Sequence, residues 1–344
     1  MEAAVEAGTH LFVEQYGAYV GKRSERLRVT VKGEVIVERP LHGLEQVVIA
    51  SGGVSLSSEA VRACAEEGIQ IHFLSRSGTP YARLLAPELI GTVRTRREQL
   101  LAFEDQRGAG FCRAIAAGKA LNQANLLRYL AKNRRESDPE TFELARETAL
   151  QIQEDARRIG EVSGDTADEV RQGVLTLEAQ AAKRYWEAAR ALLLPELGWE
   201  RRETRGATDP VNVCLNYGYG ILYGEVERAA VLAGLDPYAG FLHVDRSGKP
   251  SLALDLIEEF RQAVVDRTVF GLLNRGATPD LEEGRLSEVA RHQLAEKILE
   301  RLDGREPHEG KRHTLRTIVQ MQARALAAYV RKERTAYEPF RARW

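Results

Sequence analysis

The periodicity of apolar residues changes once along this 344-residue chain, near residue 92, and that change limits the folds open to it. Before residue 92, the segment "LRVTVKGEVIVERPL" alternates Leu27, Val29 and Val31 with polar residues, and Lys32-Gly33 separates it from a second alternating run. Alternation on both sides of a short glycine turn predicts a β-hairpin. After residue 92, apolar residues recur every three to four positions, which predicts helices.

The N-terminal part, residues 1–90, is predicted to be a small β-rich domain with one helix. Short runs such as "QVVIASG", "IQIHFL" and "PYARLL" are typical of strands. The helix is expected in "SLSSEAVRACAEEG", with Ser57 or Ser58 as its N-cap and Gly68 at its end. The remainder, residues 91–344, is predicted to be a larger all-α domain, so the fold class is α+β. Its later helices are expected at 168–194, 211–234, 252–273, 286–302 and 312–334.

The composition indicates a globular protein, because 44% of the residues are hydrophobic and no apolar run approaches the roughly 18 residues of a membrane span. The start of the chain lacks the basic and apolar regions of a secretion signal, so we expect a cytoplasmic protein without a membrane partner. Cys64, Cys112 and Cys214 lie far apart and show no zinc-binding spacing with any histidine. They are interpreted as small core residues.

The net charge of −1 hides a strong segregation of charge. Residues 91–135 hold ten Lys and Arg against three acids, a net of +7, and residues 311–344 hold nine against two, again +7. Between them, residues 136–170 hold three against eleven, a net of −8. Two basic segments suit a surface that binds a polyanion. Helix faces whose charges cancel in space would fit the same numbers, and charge alone does not separate the two.

The stretch "GFLHVDRSGKPSLALDLIEEFR", residues 240–261, places three acids in an otherwise apolar helical pattern. Asp255 and Glu259 lie one helical step apart, and Glu258 follows Asp255 by three residues. Carboxylates on adjacent turns repel one another unless a positive charge lies among them, and a divalent cation bound together with His243 would supply that charge. Surface acids near the start of a helix would show the same spacing, so spacing alone does not establish a metal site.

Two further stretches stand out. Glu178 lies among the alanines of "LEAQAAKRYW", where small neighbours let a helix or a ligand come close, although an exposed Glu in an alanine-rich helix would look the same. The helical run "DPVNVCLNYGYGILYGEVERAAVLAGLDP" contains Asn212, Asn216, Tyr217, Tyr219 and several glycines. Because asparagine and glycine lower helix stability, their accumulation indicates packing against something specific. The tyrosines could stack on bases, but core aromatics with satisfied hydroxyls are favoured.

Taken in order, these stretches resemble one family: the CRISPR-associated integrase and endonuclease of spacer acquisition, the Cas-one family. The resemblance is carried by "LEAQAAKRYW", by "DPVNVCLNYGYGILYGEVERAAVLAGLDPYAGFLH" and by "SGKPSLALDLIEEFR" followed by "VVDRTVFGLLNRG". The N-terminal "GVSLSSEAVRACAEEGIQIHFLSRSGTPYARL" is also similar to the family. The resemblance therefore covers nearly the whole chain, and the ordered set is far more specific than any member of it.

The resemblance implies that Glu178, His243 and Glu258 are catalytic ligands of Mg²⁺ or Mn²⁺. It implies Asp255 as a neighbouring acid that supports the site. Many members of the family have Gly after the first ligand, where this chain has Ala179. Because Glu259 is adjacent to Glu258, the choice between these two glutamates rests on alignment with the family pattern.

The implied activity is the insertion of foreign DNA fragments as new spacers into a CRISPR array, a step of antiviral defence. A DNA 3′-hydroxyl is joined to a phosphodiester of the repeat by transesterification, and hydrolysis at the same site uses water instead. A metal ion suits this chemistry, because it neutralises charge on the phosphoryl oxygens and lowers the pKa of the attacking hydroxyl. Two carboxylates and one imidazole would leave coordination positions free for the phosphate and the hydroxyl.

The resemblance also implies partners. The β-rich domain is expected to form a homodimer, and two such dimers would flank a dimer of the small ferredoxin-like second CRISPR adaptation protein. Double-stranded DNA, both the prespacer and the CRISPR repeat, would be contacted through its phosphates by the basic segments, because captured DNA is arbitrary in sequence. Two other hypotheses stay open: a helical DNA-binding or scaffolding protein with a structural His and Glu cluster, and a general nuclease that resolves branched DNA.

Overall fold

The computed structural model describes residues 6, 7, 10–75, 78–84 and 93–344. Over this range it confirms an α+β protein with a β-rich N-terminal part and a mostly helical remainder. The predicted domain boundary between residues 90 and 91 lies outside the described residues. The division into two domains at that point stays a prediction.

Two sheets form the N-terminal part. The five-stranded sheet has the order β1-β2-β6-β8-β9, with β2, β6 and β8 parallel and both edge strands antiparallel. The four-stranded sheet has the order β5-β4-β3-β7. The strands are β1 (Glu6–Ala7), β2 (His10–Val13), β3 (Ala18–Arg23), β4 (Arg26–Val31), β5 (Glu34–Pro40), β6 (Gln46–Ile49), β7 (Ser55–Leu56), β8 (Gln70–Leu74) and β9 (Pro80–Leu84).

The parallel strands β2, β6 and β8 of the five-stranded sheet are buried on both faces, which explains why they form nearly continuous apolar runs in the sequence. Leu11 and Val13 of β2 belong to a core shared with the four-stranded sheet, whereas Phe12 between them belongs to the core of the helical part. β6 repeats the pattern with Val48, which also packs into the helical core. The sheet thus lies between the two cores and packs against both of them.

Local signals in the N-terminal part act as predicted. The hairpin of β4 and β5 turns at Lys32 and Gly33, whose φ angles of 51° and 88° suit a tight two-residue turn. Helix α1 (Ser58–Glu66) is capped by Ser57, whose side chain accepts a hydrogen bond from the backbone N–H of Ala60, and Gly68 follows its end with a φ of 70°.

The remainder of the chain is mostly helical. The helices pack around one extended apolar core, which also contains Phe12 and Val48 of the N-terminal part. They are α2 (Val93–Phe103), α3 (Gln106–Ala131), α4 (Pro139–Gly160), α5 (Ala167–Leu192), α6 (Pro210–Leu232), α7 (Ser251–Ile257), α8 (Arg267–Leu273), α9 (Glu288–Asp303) and α10 (Leu315–Val330), with a short 3₁₀ helix (Pro195–Leu197) and a π-helix (Arg261–Asp266).

The prediction of an all-α C-terminal part was wrong in detail. Two small hairpins interrupt it: β10 (Leu281–Glu282) with β11 (Arg285–Leu286), and β12 (Arg305–His308) with β13 (Lys311–Thr314). Each turns at a Glu-Gly pair with positive φ at both residues, so each uses the same local signal as Lys32-Gly33. The expected single helix over 252–273 is divided into α7, the π-helix and α8.

Cys64, Cys112 and Cys214 are all buried free thiols, as predicted for small core residues. Over the described residues, the helices include none whose length and apolar character would let it cross a lipid bilayer.

The glycines of α6 have a packing role, as their accumulation predicted. A Cβ at Gly220 would lie 1.6 Å from the carbonyl oxygen of Gly78, so the N-terminal part rests directly on the backbone of α6. A Cβ at Gly218 would lie 2.7 Å from a methyl group of Val265 in the π-helix. The missing side chains therefore let α6 approach two neighbouring segments closely.

We expect Gly220→Ala to lower the free energy of unfolding by about 2 kcal/mol or more, because the new methyl group can only be accommodated by a backbone shift. The matched control is Gly160→Ala in α4, where a Cβ would meet no atom within 4 Å and the change should be neutral or stabilise by up to about 1 kcal/mol. Chemical denaturation of both variants measures the difference. Equal stabilities would contradict this packing.

Candidate metal centre

The predicted site residues come from three parts of the helical region. Glu178 lies on α5, Glu258 directly follows α7, and His243 lies in the loop between α6 and α7. A fourth residue, Lys119 of α3, joins two of them: its Nζ lies 2.5 Å from Oε1 of Glu178 and 2.7 Å from Oε2 of Glu258. An ammonium group therefore lies between two of the three predicted ligands.

The carboxylate of Glu258 is buried among positive groups. Its Oε1 accepts a hydrogen bond from Nε of Arg261 at 3.0 Å, and its buried Oε2 has the ion pair with Lys119 as its contact. Burial alone would raise the pKa of Glu258, but Arg261, Lys119 and His243 outweigh burial and lower it to about 2. Glu258 is therefore a carboxylate at neutral pH, the form that binds a metal ion.

Asp255 holds His243 in place. Asp255 is fully buried and accepts backbone N–H groups from Phe241, Leu242 and His243 at 2.7 to 3.1 Å. Its Oδ1 also lies 2.7 Å from Nδ1 of His243. An imidazole that donates Nδ1–H to a carboxylate keeps its Nε2 lone pair for a metal ion, and such a partner is usual behind metal-binding histidines. This geometry fits the supporting role that the sequence predicted for Asp255.

Burial lowers the pKa of His243, but the hydrogen bond and charge of Asp255, with a further contribution from Glu258, outweigh burial and raise it. The positive charge of Lys119 acts in the opposite direction and lowers the pKa of His243. His243 is also partly accessible, since 28% of its side chain is exposed.

Glu259 points away from this cluster, although it neighbours Glu258 in sequence. Its carboxylate accepts hydrogen bonds from the backbone N–H of Phe340 at 2.5 Å, from Gln322 at 2.7 Å and from the hydroxyl of Tyr337. Burial raises its pKa to about 7, despite these hydrogen bonds, which lower it. Glu259 thus anchors the C-terminal residues, and the geometry favours Glu258 as the third ligand.

The described residues do not form a ready cage for a metal. Over residues 6, 7, 10–75, 78–84 and 93–344, no three His, Cys, Asp or Glu side chains are grouped closely enough to hold an ion together. The types of donor nevertheless suit Mg²⁺ or Mn²⁺, because two carboxylates and one imidazole are oxygen and nitrogen ligands and Glu178 and Glu258 already share a cationic group. The three-ligand site itself stays a prediction.

Sequence reasoning missed Lys119 and the role of Arg261. One signal for Lys119 was available: it is the single charged residue within "AIAAGKALNQANLL", between the buried Gly118 and Ala120. A lysine in such a run is costly to bury without an acid partner. Its partners could not be identified from sequence, because they lie on other helices.

The tyrosines of α6 serve the core, as the favoured interpretation predicted. Tyr217 donates its hydroxyl to Glu14 at 2.9 Å, and the hydroxyl of Tyr219 donates to Asp266 of the π-helix. Asn212 and Asn216 accept hydrogen bonds from the guanidinium of Arg202 at 3.1 and 2.6 Å. Both tyrosines are buried, and base stacking by them is not supported.

The two basic segments of the sequence meet in space. Arg331, after α10, donates to Thr95 of α2 at 2.8 Å, and Tyr329 donates its hydroxyl to the carbonyl of Arg107 at 3.1 Å. A cleft of about 770 Å³ is lined by basic residues of both segments, Arg107, Arg113, Lys332 and Arg334. Two acids also line it, Asp105 of the first basic segment and Asp165 of the acidic segment. Most of the acidic segment forms α4, where Arg157 pairs with Glu154 of the same helix and with Glu161 directly after it.

Comparison with known proteins decides the family. The family model described as CRISPR associated protein Cas1 matches residues 11–300. The chain belongs to the Cas1 family. This confirms the resemblance seen in the sequence.

Several Cas1 proteins are similar over almost their whole length. The CRISPR-associated endonuclease Cas1 1 of Archaeoglobus fulgidus is 39% identical over 97% of this chain and 99% of that protein. The CRISPR-associated endonuclease Cas1 3 of Thermus thermophilus is 33% identical over 97% of each chain. The CRISPR-associated endonuclease Cas1 of Korarchaeum cryptofilum is 33% identical over 96% of this chain and 97% of that protein.

Solved structures share the fold. A casposase bound to an integration product superposes with a TM-score of 0.81 at 23% identity, over 96% of this chain and 92% of that chain. A CAS1 protein from Thermotoga maritima superposes with a TM-score of 0.76 at 18% identity, over 96% of this chain and 99% of that chain. The arrangement of sheets and helices described above is therefore the arrangement of Cas1 proteins.

We expect Glu259→Gln to change the pH dependence of stability. The pKa of Glu259 is raised from 4.5 to about 7 in the folded protein, so its contribution is fully present below pH 4.5 and is lost as the pH rises through 7. The loss amounts to roughly 3 kcal/mol across this window, and a neutral amide would remove it. Unfolding at pH 4.5, 6 and 7.5, compared with the parent protein, measures this.

Mn²⁺ binding tests the choice between the two adjacent glutamates as metal ligand. Glu258→Gln should weaken Mn²⁺ binding, whereas Glu259→Gln should leave Mn²⁺ binding as in the parent. Loss of Mn²⁺ binding in Glu259→Gln, with binding kept in Glu258→Gln, would show that the choice between the two glutamates is wrong.

Proposed function

We propose that this Cas1 family member is a divalent-metal-dependent DNA integrase and endonuclease of CRISPR spacer acquisition. The reaction joins the 3′-hydroxyl of a captured DNA fragment to a phosphodiester of the repeat, and hydrolysis at the same site would cut DNA. Membership of a family whose similar members are named CRISPR-associated endonucleases supports the nuclease class. One observation carries the metal dependence: Glu178 and Glu258, on different helices, already share one cationic group.

Glu178, His243 and Glu258 would hold Mg²⁺ or Mn²⁺. The bound ion would neutralise charge developing on the phosphoryl oxygens and lower the pKa of the attacking hydroxyl. Two carboxylates match the preference of these hard cations for oxygen, and the imidazole completes a mixed set that leaves positions for substrate oxygens.

The other residues of the cluster prepare these ligands. Asp255 fixes the ring of His243 through Nδ1 and fixes the loop through three backbone N–H groups, which orients Nε2 before substrate binds. Arg261 keeps Glu258 ionised and limits its rotation, since it lies 3.0 Å from Oε1. A nucleophilic side chain is not required, because the DNA 3′-hydroxyl or water attacks the phosphorus.

The cleft between the two basic segments is the proposed contact with the DNA backbone. Lys332 and Arg334 of the second segment are exposed and would contact phosphates. Arg107 and Arg113 of the first segment line the cleft but are already paired, Arg107 with Asp105 and Glu98 and Arg113 with two backbone carbonyls. Phosphate contacts carry no sequence information, which suits the capture of DNA of any sequence. Both the prespacer and the CRISPR repeat are double-stranded DNA partners in this proposal.

The proposed assembly is a homodimer that works with the second CRISPR adaptation protein, a small ferredoxin-like partner. A complex named Cas6-RT-Cas1–Cas2 contains a chain whose fold matches this one with a TM-score of 0.79 at 19% identity, with 98% of this chain and 36% of that chain covered. That complex is a precedent for an assembly of a Cas1 unit with Cas2, and the assembly of this protein serves antiviral defence.

We expect Glu178→Ala and His243→Ala to lower the rate of Mn²⁺-dependent strand transfer by about 100-fold or more, because each removes a ligand of the ion that stabilises the transition state. DNA binding should remain close to that of the parent. The assay joins a labelled DNA 3′-end to a repeat-containing duplex and measures affinity in parallel. Variants that join DNA like the parent would show that the site is wrongly assigned, and cleavage without any joining would favour a general nuclease.

We expect the double variant Lys332→Gln/Arg334→Gln to bind DNA more weakly and by a similar factor for every sequence, because phosphate contacts are lost. The salt dependence of log K should also become less steep, by about 0.9 for each lost phosphate contact. The matched control removes the same charge from α4, as Arg157→Gln/Arg158→Gln. If the control weakens binding as much as the cleft variant, the cleft is not the contact surface.

A further inference from the structure

We propose that Lys119 is a built-in counter-cation of the metal centre: its ammonium group holds Glu178 and Glu258 together without metal and competes with the divalent ion for both carboxylates. This inference rests on the proposed function, because it takes Glu178 and Glu258 as metal ligands. It adds a positioning residue that neither the sequence patterns nor the family description assign.

The contacts of Lys119 carry the inference. Its Nζ lies 2.5 Å from Glu178 Oε1 and 2.7 Å from Glu258 Oε2, so one ammonium bridges α5 and the end of α7 from its own helix, α3. The bridge is largely shielded from water, because 16% of the lysine side chain, 17% of Glu178 and 6% of Glu258 are exposed. Shielding strengthens such pairs relative to those on the surface.

Lys183 of α5 shows the contrast. Its Nζ approaches Glu187 at 4.0 Å, and 78% of its side chain is exposed. A surface pair of this kind contributes little to stability. Lys119 is instead placed where its removal would leave the carboxylates of Glu178 and Glu258 facing each other, with Arg261 still beside Glu258.

The formal charges of the cluster favour competition between the Lys119 ammonium and a divalent ion. Asp255, Glu178 and Glu258 contribute three negative charges, and Lys119 and Arg261 contribute two positive ones, which leaves −1 when His243 is neutral. A divalent ion added beside Lys119 would bring the cluster to +1, whereas an ion that displaces the ammonium would bring it to zero. Like charges repel strongly in a shielded site, so displacement is favoured.

The chemistry of the contacts agrees with this competition. The ammonium uses one oxygen of each glutamate, and these oxygens are hard donors that Mg²⁺ binds at about 2.0 to 2.1 Å. An ion and an ammonium cannot both occupy the space between the same two oxygens. Lys119 therefore keeps the two ligands close enough for an ion to bind without the full cost of bringing two anions together, and the same group lowers the affinity for that ion.

The test compares Lys119→Met, which keeps the length of the side chain and removes its charge, with Lys119→Arg, which keeps the charge. Mn²⁺ affinity is measured by isothermal titration, and thermal unfolding is measured in EDTA and in Mn²⁺. In EDTA, Lys119→Met should unfold at a lower temperature than the parent. Mn²⁺ should raise its unfolding temperature more than it raises that of the parent, and the variant should bind Mn²⁺ about tenfold more tightly. Lys119→Arg should stay closer to the parent in the EDTA melt, and Lys183→Met should match the parent throughout.

A Lys119→Met variant that binds Mn²⁺ no more tightly than the parent would overturn the inference. If this variant does not fold in EDTA, the double variant Lys119→Met/Glu178→Gln should recover folding, because one of the two facing anions is gone; failure to recover would also overturn it. Mn²⁺ binding by the parent that does not depend on Glu178 would reject the proposed metal site as well. Binding that depends on Glu178 but does not change in Lys119→Met would reject the role of Lys119 alone.

Discussion

The carboxylates of Glu178 and Glu258 belong to α5 and to the end of α7, and their repulsion has to be balanced before these helices can pack as they do. Lys119 of α3 supplies that balance from a third direction, and Arg261 adds to it beside Glu258. The longest helices of the C-terminal part therefore meet around a charged cluster as well as an apolar core. In a shielded site each of these charges needs its partners, so the cluster fixes the relative positions of the helices.

Asp255, Glu258 and Glu259 show how surroundings divide the roles of three acids within five positions. Asp255 is enclosed by backbone N–H groups and His243, so it acts on the ligand loop. Glu258 faces two cationic side chains and stays ionised. Glu259 faces Tyr337, Gln322 and the backbone of Phe340 and anchors the end of the chain. A π-helix begins at Arg261, two residues after Glu259, and π-helical turns are frequent at functional sites.

Much of the fold could be predicted because its signals are local. Alternation and the Lys32-Gly33 turn indicated the first hairpin, Ser57 and Gly68 bounded α1, and helical periodicity located most later helices. The two C-terminal hairpins were missed although Glu283-Gly284 and Glu309-Gly310 carry the same turn signal, because their strands have two to four residues and too few apolar positions to show alternation. A prediction based on periodicity needs longer segments.

The sequence by itself determined the class of fold, the segregation of charge and, through ordered motifs, the family and its candidate ligands. These properties depend on residues that are neighbours in the chain or on the order of motifs along it. Only the tertiary structure decided that the two basic segments line one cleft, that Glu259 faces away from the cluster and that Lys119 joins Glu178 to Glu258. The physical reason is that charges interact through space, and residues far apart in the chain become partners only when helices pack.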